Sequence, residues 1–117
     1  MSVDQGQGPR PIDQCRDVQD VLDQIRLRPS MWVRQECLRD LQNILIGYAT
    51  ALSVHGVDEP FALSPGGPFA EWLRARRGWS MSYGWADAIE RHADGEDPLT
   101  VFFRLLDEYR SACGSEP

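Results

Sequence analysis

The two histidines and three cysteines are the residues of this sequence whose types best suit catalysis or metal binding. His55 and His92 each lie near the end of an expected helix, with no Cys, Asp, Glu or second His at a metal-ligand spacing on the same helix. Cys37 and His55 share one helical arc but lie about five turns apart, too far for a nucleophile to meet its base. We therefore expect no metal site, no cofactor and no catalytic residues, and we interpret both histidines as structural or surface residues favoured by a helix C-terminus.

Carboxylates that could serve as an acid–base pair occur in two groups. Asp94, Glu96 and Asp97 precede a helix, where capping accounts for them, and Asp107 and Glu108 lie on a polar helix face. Neither group has an apolar setting that would raise a carboxyl pKa. The sequence therefore predicts that the protein is not an enzyme.

Arginines and aromatic residues are concentrated in the second half of the chain. Arg74, Arg76 and Arg77, followed by Trp79, could bind a phosphate or stack a base. The alternative is a solvated helix end, where cations are favoured, and the pattern leaves anion binding open. Trp79 and Tyr83 lie on a connection between helices, so we expect them to be partly exposed and predict that they bind a protein partner.

Hydrophobic periodicity indicates helices throughout and no strand. The longest periodic run predicts a central helix over 36–56, ending at Gly56, with a broad apolar face from Cys37 to His55. A final long helix over 97–113 is its expected partner. Other helices are expected from between Asp13 and Asp17 to about Leu27, over 68–77 and over about 85–93, with a large Pro- and Gly-containing loop over 57–68. The predicted fold is all-α, a single domain of about five helices packed around a long central helix.

The domain boundaries follow from this pattern: a disordered N-terminal tail over 1–12, a helical domain over 13–113 and a C-terminal tail over 114–117. The N-terminus lacks the apolar segment of a signal peptide, and no apolar run reaches the length of a membrane span. Three cysteines without a C-x-x-C spacing favour reduced thiols. We therefore expect a cytoplasmic protein that does not bind membranes.

Charge bears on the class of partner. The 117 residues carry a net charge of −6, and all twelve basic residues are arginine. General nucleic-acid binding is not expected, because it requires a positive field. Asp13, Asp17 and Asp20 lie nearly opposite the apolar stripe of the first helix, and Asp20 lies beyond its first turn if the helix starts at Asp13. These three residues are predicted to bind a basic partner, and a solvated acidic face without a partner is the alternative.

Short segments between about residue 17 and residue 112 form one further pattern. Its residues are Ile25, Arg28-Pro29-Ser30-Met31-Trp32, Leu38, Leu41, Gly47-Tyr48, Phe69, Trp72-Leu73, Gly78, Gly84-Trp85, Ile89, Phe102-Phe103, Leu105-Leu106 and Asp107-Glu108-Tyr109. The pattern resembles a family of small bacterial helical proteins, some of which are similar to immunity or accessory proteins of polymorphic-toxin loci. The sequence departs from it at Val33-Arg34, where the family more often has Leu-Gly, and in a longer loop before Pro68. The resemblance implies an all-helical single domain without a cofactor and supplies no catalytic residues.

The resemblance, the acidic charge and the lack of a catalytic constellation together predict a non-enzymatic protein-binding protein. The leading hypothesis is an immunity-type protein that neutralises a cognate bacterial toxin. The alternative is a structural or regulatory adaptor that binds another bacterial protein. A small hydrolase or a nucleotide-binding protein is the third class, and no motif supports it.

Overall fold

The computed structural model describes residues 11–35 and 37–114, and over these residues the fold is all-α without a strand. The first part contains a 3-10 helix at Ile12–Gln14, α1 at Val18–Leu27 and a second 3-10 helix at Pro29–Met31. The remainder contains α2 at Leu38–Val54, α3 at Pro68–Arg77, α4 at Gly84–Arg91 and α5 at Pro98–Gly114. The prediction of an all-α fold with about five helices is confirmed.

Local signals in the sequence explain where α2 and α5 end or begin. Gly56 has a φ of 64°, and its backbone N–H donates to the Ser53 carbonyl oxygen at 3.3 Å. The N–H of the following Val57 donates to the Leu52 carbonyl oxygen at 2.9 Å, which completes a Schellman ending. At the start of α5, the Asp97 carboxylate accepts from the backbone N–H of Thr100 at 3.1 Å.

The contacts of the chain divide it into two compact units, the first ending at Trp32 and the second beginning at Val33. In the first unit, α1 contacts the 3-10 helix Pro29–Met31. In the second unit, α4 contacts α2, α3 and α5, and the main contacts of α5 are with α4 and α3. The expectation that α5 is the principal partner of α2 is therefore wrong. Of the predicted tails, only Pro11, Ile12 and Gly114 lie within the described residues, and the domain boundaries stay a prediction.

Aromatic side chains form the core of the second unit. Phe69, Trp85 and Phe102 are fully buried, and their ring centroids lie between 5.0 and 5.9 Å apart. The indole N–H of Trp85 donates to the Leu63 carbonyl oxygen at 2.9 Å, so the ring is buried with its polar atom satisfied. This hydrogen bond also attaches the loop between α2 and α3 to the core.

Two side chains cap the facing helices α2 and α4 reciprocally. The Glu90 carboxylate of α4 accepts from the backbone N–H of Leu38 at 2.7 Å, at the start of α2. The Gln42 side-chain oxygen of α2 accepts from the backbone N–H of Ala86 at 3.2 Å, at the start of α4. Since residue 38 faces residue 90 and residue 42 faces residue 86, the two helices run antiparallel.

The short length of α4 determines which part of α2 is buried. The eight residues of α4 pair with the first two turns of α2, and the buried residues of α2 are Leu38, Leu41, Gln42 and Leu45. Residues 46–54 extend beyond the start of α4 and include no buried residue. The expectation that the apolar face of α2 continues inward to Ala51 and His55 is wrong, because both are exposed.

Candidate functional site

Two of the three residues in the predicted acidic stripe, Asp17 and Asp20, accept hydrogen bonds at the N-terminus of α1. Since α1 starts at Val18, Asp17 is its N-cap, and its carboxylate accepts from the backbone N–H of Asp20 at 3.1 Å. The Asp20 carboxylate in turn accepts from the backbone N–H of Arg16 at 3.0 Å and from its side-chain Nε at 3.2 Å. The sequence pattern places Asp20 on a solvated face of the helix. In the structure Asp20 is only 9% exposed, so this expectation is wrong. Asp13 is exposed in the 3-10 helix Ile12–Gln14.

Trp79, which follows α3, is held by two neighbouring side chains. Its indole stacks on the imidazole of His92, with centroids 4.5 Å apart and planes 7° from parallel. The His92 Nδ1–H donates to the Ala88 carbonyl oxygen at 2.9 Å, which fixes the imidazole at the end of α4. The Arg77 guanidinium lies 5.7 Å from the Trp79 ring centroid, and it also contacts the Glu108 carboxylate at 3.4 Å. The Trp79 indole is thus half-buried at the surface, and its contacts with His92 and Arg77 restrain its orientation.

Tyr83, which directly precedes α4, is a large aromatic residue that is 72% exposed. The Arg91 guanidinium lies 5.7 Å from its ring centroid, and the same guanidinium contacts the Asp87 carboxylate at 2.8 Å. These three residues follow each other at intervals of four and therefore share one face of α4. The arrangement keeps the phenol outside the core with a cation beside its ring.

We call Arg77, Trp79, Tyr83, Arg91 and His92 the aromatic–arginine surface. The sequence predicts Trp79 and Tyr83 as partner-binding residues and singles out Arg77 beside Trp79, whereas it does not single out Arg91 or the contact of His92 with Trp79. The spacing of four residues between Asp87 and Arg91 is typical of an ion pair on one helix face and could have pointed to Arg91. The stack of Trp79 on His92 had no sequence signal, because the two residues are thirteen positions apart on different elements.

The segment with three arginines at the end of α3 is partly neutralised by carboxylates. Arg74 contacts Glu71 at 2.7 Å, and this hydrogen bond raises the pKa of the guanidinium while lowering the pKa of the Glu71 carboxyl. Arg77 contacts Glu108, as described above. The Arg76 guanidinium lies 5.5 Å from the Trp72 ring centroid. The geometry favours the solvated helix end over a dedicated phosphate site.

The candidate acid–base carboxylates also have structural partners. Glu96 binds Arg104 through both carboxylate oxygens, at 2.9 and 3.1 Å, and this hydrogen bonding lowers the pKa of the Glu96 carboxyl. Asp97 caps α5. A carboxyl with a lowered pKa is a poor proton donor near neutral pH, which is the opposite of what a general acid requires.

The thiols lie apart from any ligand cluster. Cys37 is half-buried with its sulfur 3.7 Å from an Arg34 nitrogen, and Cys113 is exposed near the end of α5. Burial, followed by hydrogen bonding to Cys113, raises the pKa of Tyr109. Across residues 11–35 and 37–114, no group of three or more His, Cys, Asp or Glu side chains is placed to hold a metal ion. None of the helices described combines the length and apolar character that crossing a membrane requires.

Comparison of this chain with protein-family models, with curated proteins and with solved structures found no match.

Proposed function

We propose that this protein is a non-enzymatic protein-binding module that recognises its partner through the aromatic–arginine surface. The observation that carries the proposal is Tyr83, a large aromatic side chain that is 72% exposed and lies beside the Arg91 guanidinium. Tyr, Trp and Arg are the residue types most enriched among those that dominate binding energy at interfaces. Three such types on one surface favour recognition of a protein.

The order of the surface before binding supports the same proposal. Arg91 is held by Asp87, Arg77 by Glu108 and the Trp79 indole by His92. Immobilising a free side chain on association costs about 0.5–1.5 kcal/mol. Side chains already restrained in the free protein lose less entropy, so this surface is suited to binding without rearrangement.

The specific role that we propose is that of an immunity-type protein that occupies a cognate bacterial toxin. Its support is the resemblance of the sequence to a family with immunity-like members. Because Asp17 and Asp20 are engaged at the start of α1, we place the main recognition surface on Trp79 and Tyr83. Contact of Asp13, Asp17 and Asp20 with a basic partner stays a prediction, and Asp13→Arg tests it without removing a helix cap.

The test is quantitative capture of a partner from an extract of the source cells, using the full chain as bait. Tyr83→Ala is the test variant, and Met31→Ala, which truncates another side chain that is 67% exposed, is the matched control. We expect Met31→Ala to retain the partner and Tyr83→Ala to weaken binding about 30-fold, the loss typical of one dominant interface residue. Equal binding by the parent and Tyr83→Ala contradicts the proposed surface.

Co-expression then distinguishes the immunity role from an adaptor role. The captured partner is expressed in a heterologous host with and without this chain. For an immunity protein, the partner alone stops growth, the parent chain restores it, and Tyr83→Ala restores it less. A partner that does not impair growth contradicts the immunity role and favours an adaptor.

A further inference from the structure

The second half of α2 presents an apolar face to solvent, which is unusual for the most periodic helix of the chain. Ile46, Val54 and the following Val57 are 40%, 72% and 52% exposed. Gly47, Thr50 and Ala51 on the same face are also exposed. None of these residues belongs to the aromatic–arginine surface, so the feature is independent of the proposed function.

We infer that residues 46–54 of α2 form a self-association face through which two copies of this chain pair by an antiparallel helix contact. The face has the two parts that such a contact needs. Ile46, Thr50 and Val54, at intervals of four, form a ridge. Beside it, Gly47 and Ala51 form a shallow groove, since a Cβ on Gly47 would meet no atom within 4 Å apart from its chain neighbours and the backbone of α2 itself.

A ridge beside a groove makes the face self-complementary. In a two-fold pairing, the ridge of each copy enters the groove of the other, so one surface supplies both halves of the interface. Thr50 fits this role because its hydroxyl donates to the Ile46 carbonyl oxygen at 2.9 Å. Its hydrogen-bonding need is met inside the helix, so its methyl group is available for apolar contact.

Charge favours a second copy as the occupant. From Leu41 to Val57 the sequence contains no Asp, Glu, Lys or Arg, although the chain has a net charge of −6. Two acidic copies repel each other least where their surfaces are uncharged, and a partner recognised through charge finds no complementary group here.

The size of the face sets the strength of the pairing. Nine helical residues span only about 14 Å, so a single helix–helix contact buries less than the roughly 600–1,000 Å² per partner of a stable interface. We therefore expect a weak, reversible dimer with a dissociation constant between about 100 µM and about 1 mM.

Sedimentation velocity over a concentration series, from about 10 µM to about 1 mM, tests this inference in the affinity range expected. The parent chain is expected to shift from its monomer mass of 13.3 kDa toward twice that mass. Val54→Arg places a charge on the ridge, and Gly47→Gln fills the groove at a position with free space around it. Each is expected to weaken pairing about tenfold or more.

Ser111→Arg, at an exposed position of α5, is the matched charge control and is expected to pair like the parent. Circular dichroism of every variant checks the fold, and Gly47→Gln keeps the test decisive if Val54→Arg misfolds. A parent chain that stays monomeric throughout the series overturns the inference. Pairing that persists in both Val54→Arg and Gly47→Gln also overturns it, because another surface is then responsible.

Discussion

Gln42 and Glu90 each satisfy backbone groups of a helix other than their own. Gln42 is buried, and its side-chain oxygen serves the Ala86 N–H, while Glu90 serves the Leu38 N–H. This pairing also explains the glycine at position 84. Gly84 has a φ of 90°, and a Cβ there would lie 2.6 Å from the Gln42 side-chain oxygen.

Gln42→Met should destabilise the fold although it nearly preserves side-chain length and volume. The buried Ala86 N–H loses its acceptor, which costs about 1–3 kcal/mol of unfolding free energy. Asn43→Ala, at the exposed neighbouring position, is the control and should change stability by less than about 0.5 kcal/mol. Urea unfolding measures both values. Similar stabilities of the two variants would show that the Gln42 hydrogen bond contributes nothing.

At the scale of the elements, α2 is a helix with two different environments. Its first half lies against α4, while its second half is supported on one side by the loop that precedes α3. Tyr48 stacks on Phe61 with ring centroids 5.8 Å apart, and its hydroxyl donates to the Glu59 carboxylate at 2.7 Å. Together with the hydrogen bond from Trp85 to Leu63, these contacts attach the loop to the rest of the second unit.

Truncation of an apolar side chain should therefore destabilise the fold strongly in the first half of α2 and hardly at all at an exposed position of the second half. Leu45→Ala removes a fully buried side chain and should cost about 2–5 kcal/mol of unfolding free energy. Val54→Ala removes an exposed one and should change stability by about 0.5 kcal/mol or less. Thermal and urea unfolding of dilute protein measure both. Equal losses would place the second half of α2 in a packed core.

Over the whole molecule, arginines hold several carboxylates in the ionised form. Hydrogen bonding to Arg34 lowers the pKa of the Asp40 carboxyl most strongly, and Arg104 does the same for Glu96. A carboxyl with a lower pKa in the folded than in the unfolded state stabilises the fold above its ordinary pKa of about 4. That stabilisation is lost as the pH falls through the lowered value.

We therefore expect the melting temperature to be nearly constant from about pH 5 to about pH 8 and to fall on further acidification. Asp40→Asn should lower the melting temperature near neutral pH and flatten part of the acid dependence. Asp58→Asn, which changes an exposed carboxylate in the loop after α2, is the control. Because these pairs are exposed, high salt should also reduce the difference between Asp40→Asn and the parent. A parallel acid dependence of Asp40→Asn and the parent would contradict the role of this pair.

Signals that act over a few residues allowed most of the helices to be predicted. The bounds of α3 agree with the prediction at both ends, and Gly56 and Asp97 mark the end of α2 and the start of α5 as expected. The partial exposure of Trp79 and Tyr83 agrees with the expectation that aromatic residues on a connection between helices reach the surface, whereas their binding to a partner stays a prediction. These features depend on backbone preferences and capping within one or two turns, so the sequence alone determined them.

Contacts between distant residues decided the rest. The periodicity of α2 indicates an apolar face along its whole length, but α4 covers only the first half, and in the second half Tyr48 and Leu52 are only half-buried while Ala51 is exposed. Glu90 caps a helix that begins 52 residues earlier, and His92 supports an indole on another element. Periodicity records which face of a helix is apolar, whereas burial requires a partner of sufficient length against that face. Only the tertiary structure supplied that partner, which is α4 for the first half of α2 and, on one side of the second half, the loop that precedes α3.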